Sequence, residues 1–287
     1  MADITAIVMT KNESKNIKDC LISIKDLVKR MIVIDCGSTD GTVRIAKELG
    51  ADVYTHEFEY YAKQYNWGLD NCSIATKWVI RMDADERFPK NLCDEIEYKM
   101  KLHSDDDING FSLESDYFFL GRWLKHGCAI KRKTMVFKYG IGRIEDRKRD
   151  AHTILSEGKV ICLRNRFLHC DFNGLDNFIK KYNWYATREA YDYMEYINGR
   201  VEQTVQDKHI QNIRNKKFRI YYKFPMFLRV WLLFLYELII NKGFFNGRAG
   251  IIFCVLEVFW YRYLVDAKIY EYQKLGKQPE KLKALGE

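Results

Sequence analysis

Proline is scarce in this 287-residue chain, and its cysteines show no zinc-binding spacing. With only 3 prolines and 17 glycines, the composition excludes collagen-like and low-complexity classes. The 8 cysteines are Cys20, Cys36, Cys72, Cys93, Cys128, Cys162, Cys170 and Cys254. No CxxC pair or tight cluster occurs among them, so neither a zinc knuckle nor a disulfide scaffold is indicated. Reduced thiols in the cytoplasm are the simplest interpretation.

The N-terminus lacks the features of an export signal. It has no basic segment, and the apolar run from Ile4 to Met9 is short and suits a first strand. We therefore do not expect export.

Positive charge and aromatic rings are both plentiful. The formal net charge is +8 and aromatic residues make up 15%, while 47% hydrophobic and 30% charged residues are usual for a globular protein. Nucleic acid, an anionic membrane and phosphorylated ligands are the partner classes that such a composition permits. No DNA- or RNA-binding motif is present and the cations gather beside apolar helices, so nucleic acid is not an expected partner.

β-branched segments alternate with helical patterns in the first part of the chain. The segments ITAIVM, MIVIDC, DVYTHEF and KWVIRM are each separated by a helical pattern. This alternation predicts βαβ units, and hence a Rossmann-like α/β fold with a mostly parallel sheet and helices on both faces. After residue 105 the extended pieces GFSLES, KTMVFKY and KVICLR predict that the sheet becomes mixed.

Three acids follow the strand KWVIRM in the sequence DADE. In open α/β sheets, ligands bind outside the carboxyl ends of the strands. Residues i and i+2 of an extended segment point to one side, so Asp83 and Asp85 are predicted to address one ligand. Paired carboxylates suit Mg²⁺ or Mn²⁺, whereas Arg87 and the missing glycine exclude an EF-hand. Solvated loop acids or a helix cap are the alternatives, and Glu86 is open between helix capping and acceptor contact.

A second polar turn lies in VIDCGSTDGT, residues 33–42. Asp35 ends a strand there, and Gly37 and Gly41 bracket a turn that opens a helix. Glycines permit close backbone approach, and a helix N-terminus favours phosphate groups. An ordinary strand-to-helix turn is the structural alternative.

The three strand ends carry MTKNES, VIDCGSTDGT and RMDADE in sequence order. Together they resemble the nucleotide-sugar-binding half of glycosyltransferase family 2, which has the GT-A fold, over Ile4 to Asp85. The resemblance implies a divalent metal, Mn²⁺ or Mg²⁺, held by Asp83 and Asp85 and bridging the donor diphosphate. The nucleotide-pocket residues that the resemblance implies are Thr10, Asn12, Glu13, Asp35, Ser38, Lys63 and Asp83. For Lys63, a position on the surface is an alternative of at least equal weight.

The stretch from Arg143 to Ala190 resembles a bacterial subgroup that builds lipopolysaccharide, capsule or other surface glycans. Subgroup members have an acid beside the histidine of a D-x-H segment, which here reads DAHT. Because that acid is missing, the general base is open among Asp150, Asp146 and Glu145, with Asp150 the first candidate. A charged surface loop is the alternative interpretation of this segment.

His169, in RFLHCDF, resembles the C-terminal metal-binding histidine of many GT-A enzymes. Imidazole suits Mn²⁺ as well as carboxylates do. A structural histidine beside apolar residues is the alternative, and His152 is a weaker candidate.

A change of pattern near residue 172 predicts the domain organisation. We expect a GT-A catalytic domain over 1–172, with a nucleotide-sugar half over 1–105 and an acceptor half over 106–172. A helical region is expected over 173–287, because apolar residues recur at helical spacing from Leu175 onward.

The helical region contains two apolar stretches, FPMFLRVWLLFLYELII and AGIIFCVLEVFWYRYLV. Each is about 17 residues long, which is the lower limit for crossing a bilayer, and charged residues interrupt both. Flanking cations and Trp and Tyr side chains suit helices lying in a membrane interface. A buried helical hairpin is the alternative.

The resemblance and the tail together predict an inverting glycosyltransferase. It would move a hexose from a nucleoside diphosphate sugar, with uridine diphosphate expected, to a glycan or polyprenyl-linked glycan acceptor. Its expected place is the cytoplasmic side of the bacterial plasma membrane, held peripherally on the anionic inner surface. The alternatives are a sugar-phosphate nucleotidyltransferase and a non-catalytic membrane-surface module.

Overall fold

A computed structural model describes residues 1–127, 130–148, 151–199 and 204–276. The strands are β1 Ala2–Thr10, β2 Val28–Asp35, β3 Asp52–Thr55, β4 Trp78–Asp83, β5 Glu86–Arg87, β6 Ile108–Phe119, β7 Arg122–Leu124, β8 Arg132–Lys138, β9 Gly142–Ile144, β10 Thr153–Leu155, β11 Lys159–Cys162 and β12 Phe167–Cys170. The helices are α1 Ile17–Ile24, α2 Thr42–Glu48, α3 Tyr61–Asn71, α4 Lys90–Leu102, α5 Gly174–Ile197, α6 Lys208–Arg219, α7 Leu228–Leu235, α8 Gly247–Phe253 and α9 Tyr261–Leu275.

The main sheet has the order β3-β2-β1-β4-β8-β6-β12-β5, and β7 and β11 also pair with β6. Strands β1 to β4 pair in parallel, β8 is antiparallel to both β4 and β6, and β12 is parallel to β6. Strands β9 and β10 form a separate antiparallel pair. The predicted α/β fold with a mostly parallel sheet that becomes mixed is therefore confirmed.

Helices cover both faces of the sheet because its central strands are apolar on both sides. Ala6 and Val8 of β1 face a core shared with α1, α2 and α4. Ile7, which points the opposite way, packs in a second core with α3, β9 and β10. At Gly68 the backbone of α3 comes so close that an added Cβ would lie 2.1 Å from Ile34 Cδ1.

The sheet brings distant strand ends to one edge. Because β12 is parallel to β6, and β6 and β4 are each antiparallel to β8, the carboxyl ends of β4 and β12 lie on the same side. The short strand β5 then pairs with β12 so that Glu86 stands opposite His169. The acids after β4 and the histidine of β12 are thus neighbours in space.

The C-terminal helices share a core with the outer part of the sheet. Tyr117 and Phe119 of β6 pack with residues of α5, α8 and α9. A buried ion pair between Arg229 and Asp266 ties the start of α7 to α9. The two regions are packed against each other. The domain boundary near residue 172 stays a prediction.

The two apolar stretches form bent helices. A π-helical turn, Tyr236–Ile240, continues α7, and another, Cys254–Trp260, joins α8 to α9. Within the described ranges, no helix combines the length and the apolar character that a bilayer span requires.

Candidate active site

The loops after β1 and β2 are hydrogen-bonded to each other at the carboxyl edge of the sheet. Asp35 is buried, and its Oδ1 accepts from the backbone N–H groups of Gly37 and Ser38 at 2.9 and 2.8 Å. Its Oδ2 accepts from Thr10 Oγ1 at 3.0 Å and from Ser38 Oγ. Asn12 has a positive φ, and its Oδ1 accepts from the backbone of Thr39 at 2.8 Å. Asp35 therefore shapes the turn with both of its carboxylate oxygens.

Glu13 links this double loop to the beginning of α5. Its Oε2 accepts from Asn16 at 2.7 Å and from Asn173 at 2.9 Å. Burial, reinforced by the negative charge of Asp85, raises the pKa of Glu13 to about 7. The predicted pocket residues Thr10, Asn12, Glu13, Asp35 and Ser38 thus lie together.

Asp83 is held by two side chains from other elements. Its Oδ1 accepts from the Tyr61 hydroxyl at 3.0 Å and its Oδ2 from Lys133 Nζ at 3.0 Å. Burial opposes ionisation, but the charges of Lys133 and Arg81 keep the pKa of Asp83 well below its usual range. Asp83 is therefore an anion with its partners already in place.

Glu86 has a structural role at the turn. It is 1% exposed, and its Oε2 accepts from the backbone N–H of Asp83 at 2.9 Å while its Oε1 accepts from Lys133. Burial raises the pKa of Glu86 to about 7 although Lys133 opposes the shift. Glu86 therefore caps the turn that follows β4, and the N-terminus of α4 has no side-chain cap hydrogen bond.

Asp85 presents a carboxylate oxygen that has no hydrogen bond within the described structure. Its side chain is 5% exposed; Oδ2 lies 3.3 Å from Lys181 Nζ, and Oδ1 lies 3.6 Å from His169 Nδ1, beyond hydrogen-bond length. Burial lowers the pKa of His169 to about 4 despite the opposing charge of Asp85, so its ring is neutral at pH 7. The ring stacks on Tyr117 at 4.5 Å between centroids.

Of the predicted metal ligands Asp83, Asp85 and His169, the structure brings Asp85 and His169 together, with 3.6 Å between Asp85 Oδ1 and His169 Nδ1. An unpaired buried carboxylate oxygen beside a neutral imidazole is a suitable donor set for Mn²⁺. The prediction that Asp83 and Asp85 share one side of an extended segment is wrong, because β4 ends at Asp83 and residues 84–85 form a turn. Among the described residues, no three His, Cys, Asp or Glu side chains surround a common point.

The ion pair that Lys63 forms does not involve this cluster. Lys63 is about half exposed on α3 and pairs with Glu59 one turn earlier in the chain. From the same helix Tyr61 reaches Asp83 instead, and sequence reasoning missed it. The surface alternative for Lys63 is the one that its contacts favour.

The three candidate bases differ in their surroundings. Glu145 is 2% exposed and pairs with Arg214, and it also accepts from the backbone of His152 at 2.8 Å. Asp146 is exposed, accepting from the Tyr60 hydroxyl at 2.6 Å. Asp150 lies outside the described residues. Of the two described carboxylates, only Asp146 is open to an incoming hydroxyl.

Two lysines at the acidic cluster escaped sequence reasoning because they are distant in the chain. Lys133 stands 50 residues from Asp83, and Lys181 stands 96 residues from Asp85. The sequence contains one indication that Lys181 faces the protein interior. Lys181 lies three residues after Phe178, on the side of α5 that carries apolar residues. Nothing comparable marks Lys133, which is one of two consecutive basic residues at the start of β8.

Comparisons with known proteins agree with this architecture. The profile described as Glycosyl transferase family 2 matches residues 5–167, more than half of the chain. An uncharacterized glycosyltransferase of Rickettsia felis is 26% identical over 85% of this chain and 86% of its own length. The lipopolysaccharide core biosynthesis glycosyltransferase LpsC of Rhizobium meliloti is 25% identical over 96% of this chain and 95% of its own.

A solved structure shares the fold over nearly the whole chain. The mannosyltransferase PcManGT from Pyrobaculum calidifontis, solved with GDP-mannose and Mn²⁺, has a TM-score of 0.52. It covers 96% of this chain and 88% of its own chain at 14% sequence identity. At that identity the likeness concerns the fold alone.

The lowered pKa of His169 predicts how stability depends on pH. The pKa is about 4 in the folded protein, against 6.5 for an ordinary histidine. The stability linked to His169 is therefore fully present above pH 6.5 and is lost as the pH falls through 4. We expect a loss of roughly 3 kcal/mol across this window in metal-free protein, and its absence in His169→Gln.

Urea unfolding at a series of pH values, with a chelator present, measures this difference. The exposed His209 of α6 supplies the control, and His209→Gln should keep the wild-type pH profile. Parallel profiles for wild type and His169→Gln would show that the imidazole is not held neutral by burial.

Proposed function

This chain belongs to glycosyl transferase family 2, and from that premise we propose that it transfers a hexose, with inversion, from a nucleoside diphosphate sugar to a lipid-linked or surface-glycan acceptor. One observation carries the proposal. The buried Asp85 directs an unpaired carboxylate oxygen toward neutral His169 at the carboxyl edge of a parallel sheet. That edge is where α/β folds bind their ligands.

The donor is proposed to lie along the edge formed by the two joined loops and the acidic turn. The nucleoside would meet Asn12, Glu13 and Ser38, and its diphosphate would approach Asp85. The ligands of PcManGT, GDP-mannose and Mn²⁺, support a donor of this class. Uridine as the base is our expectation from the family resemblance.

Asp85 and His169 are the residues that would hold the divalent cation. When bound, the cation would neutralise charge on the departing diphosphate. Around it, this chain supplies an ordered carboxylate, a neutral ring fixed by stacking on Tyr117, and two lysines whose positive charge also favours the diphosphate. Asp83, already bonded to Lys133 and Tyr61, would position the turn and face the ribose.

Inversion requires a carboxylate that accepts the proton of the acceptor hydroxyl while that oxygen attacks the anomeric carbon. Asp150 is the first candidate and Asp146 the second. Asp146 is exposed, and Tyr60 and Lys148 stand beside it, with Lys148 Nζ 3.4 Å from the centre of the Tyr60 ring. The buried ion pair of Glu145 with Arg214 favours a structural role for Glu145.

The acceptor is proposed to be a bacterial surface glycan or its lipid-linked precursor. LpsC, which aligns with nearly all of this chain, is named for lipopolysaccharide core biosynthesis. The nucleotidyltransferase and the non-catalytic alternatives are set aside, because the chain is a glycosyltransferase by family.

An exposed apolar face on the C-terminal helices supports a place at the membrane. Its members follow helical spacing along α7 and the turn after it, and each is 44% to 65% exposed: Leu228, Trp231, Leu232, Leu235, Ile239 and Ile240.

The charges beside this apolar face match an anionic surface. Between 219 and 260, a stretch described throughout, every exposed charged side chain is a cation: Arg219, Lys223, Lys242 and Arg248. We propose that the face lies in the anionic cytoplasmic leaflet of the plasma membrane, near the lipid-linked acceptor.

The first test concerns the metal and the donor. Purified protein is offered a panel of UDP- and GDP-sugars with Mn²⁺ or Mg²⁺, and release of nucleoside diphosphate is measured. We expect turnover of at least one donor that a chelator abolishes, and a fall of about 100-fold in Asp85→Asn because metal and diphosphate lose their ligand. Asp94→Asn, an exposed carboxylate on α4, should keep the wild-type rate. An undiminished rate with EDTA would remove the metal from the proposal.

The second test identifies the base. In the true base, Asp→Asn should leave donor affinity intact and reduce transfer by about 100-fold or more. Asp146→Asn and Asp150→Asn are compared by calorimetric donor binding and by single-turnover transfer. Glu145→Gln should instead lower the free energy of unfolding by about 3 kcal/mol, because Arg214 loses a buried carboxylate. Full transfer activity in both Asn variants would exclude Asp146 and Asp150 as the general base.

The third test concerns the membrane. Replacing Ile239 and Ile240 together by Asn should reduce co-sedimentation with phosphatidylglycerol vesicles by about tenfold, since apolar contact area is lost. The matched control is the pair Ile22 and Leu102, replaced in the same way, which lie outside the C-terminal helices and are 50% and 54% exposed against 54% and 65% for Ile239 and Ile240. Equal binding by both double variants would contradict the proposed face, as would equal binding of wild type to uncharged vesicles.

A further inference from the structure

Lys181 reaches from α5 into the acidic turn after β4. Its Nζ lies 3.3 Å from Asp85 Oδ2 and 3.6 Å from Asp171 Oδ2. The side chain is 21% exposed, so it is largely enclosed but still open to a ligand at the sheet edge. The Lys181 ammonium group therefore bridges Asp85 in the acidic turn and Asp171, which lies just before α5.

The two carboxylates are anchored differently. Asp171 is 15% exposed, and its Oδ1 accepts from the backbone N–H of Asn173 at 2.9 Å. Asp85 has Lys181 as its cationic hydrogen-bond partner, and its other oxygen has no hydrogen bond within the described structure. If Lys181 left Asp85, it would still have an ordered carboxylate within reach.

A divalent cation on Asp85 would stand within a few ångströms of the Lys181 ammonium. Like charges at such a distance repel strongly, even at the effective dielectric of a partly exposed site. The donor diphosphate removes the conflict, because its oxygens attract both the metal and an ammonium group. Lys133 is not free to move onto the diphosphate in this way, because its Nζ is hydrogen-bonded to both Asp83 and Glu86.

We propose that Lys181 occupies Asp85 in the donor-free protein and moves onto the donor diphosphate when metal and donor bind. This inference rests on the proposed function and adds a residue and an order of events to it. Lys181 then acts twice. It weakens metal binding before the donor arrives, and it binds the leaving diphosphate afterwards.

The consequence is a pair of effects with opposite sign. In Lys181→Met, Mn²⁺ binding to the nucleotide-free protein should tighten by about tenfold, because a competing positive charge is gone. Binding of UDP or GDP in the presence of saturating Mn²⁺ should weaken by about tenfold, because a charge-assisted contact to phosphate is lost. A merely structural lysine would weaken both.

Electron paramagnetic resonance measures free Mn²⁺, and calorimetry measures UDP and GDP binding. Lys180→Met is the matched control, one residue away on the exposed side of α5, and should leave both affinities unchanged. Lys181→Arg should restore nucleotide binding at least in part. Lys181→Gln repeats the test with a polar side chain if the methionine variant folds poorly.

The outcomes separate the inference from the function beneath it. If wild type binds Mn²⁺ and a nucleoside diphosphate while Lys181→Met and Lys181→Gln bind both as wild type does, or both more weakly, this inference alone is overturned. If wild type binds neither Mn²⁺ nor UDP nor GDP, the proposed donor chemistry fails and the inference fails with it.

Discussion

The site depends on the cost of keeping several carboxylates close together at a buried sheet edge. Asp83 ends β4, Asp85 and Glu86 come directly after it, and Glu13 lies in the loop after β1, so their mutual repulsion must be balanced within the fold. Lys133 from β8 and Lys181 from α5 supply the balance. Later parts of the chain therefore neutralise the acids at the earlier strand ends, so the first 105 residues alone do not contain the complete cluster.

The C-terminal helices are part of this arrangement as well as a candidate membrane contact. α5 carries Lys181, and Phe253 of α8 packs at 5.0 Å from Tyr117, whose ring stacks on His169. Tyr117, which stacks on the candidate metal ligand His169, thus contacts the helical region that also presents the apolar face. The C-terminal helices and the outer part of the sheet share a single packed core.

Much of the site could be predicted because local patterns encode it. Alternating strand and helix signals place Thr10, Asp35 and Asp83 at one edge, since parallel strands end on the same side. The expected extended conformation of residues 83–85 was wrong, because a turn begins at residue 84 and Glu86 accepts the backbone N–H of Asp83. Lys63 resembled a pocket residue by position alone, but the helix points Tyr61 at the acids instead.

The amino-acid sequence by itself determined the α/β class, the ligand-binding edge and the family, because strand periodicity and the motifs at strand ends are local properties. Only the tertiary structure decided which cations meet which acids. Lys133 reaches Asp83 through antiparallel strand pairing, and Lys181 reaches Asp85 through helix packing. Both contacts join residues far apart in the chain, so no local sequence pattern predicts them. The tertiary structure also decided that Glu145 is buried against Arg214 while Asp146 is exposed, since burial depends on what packs above a residue.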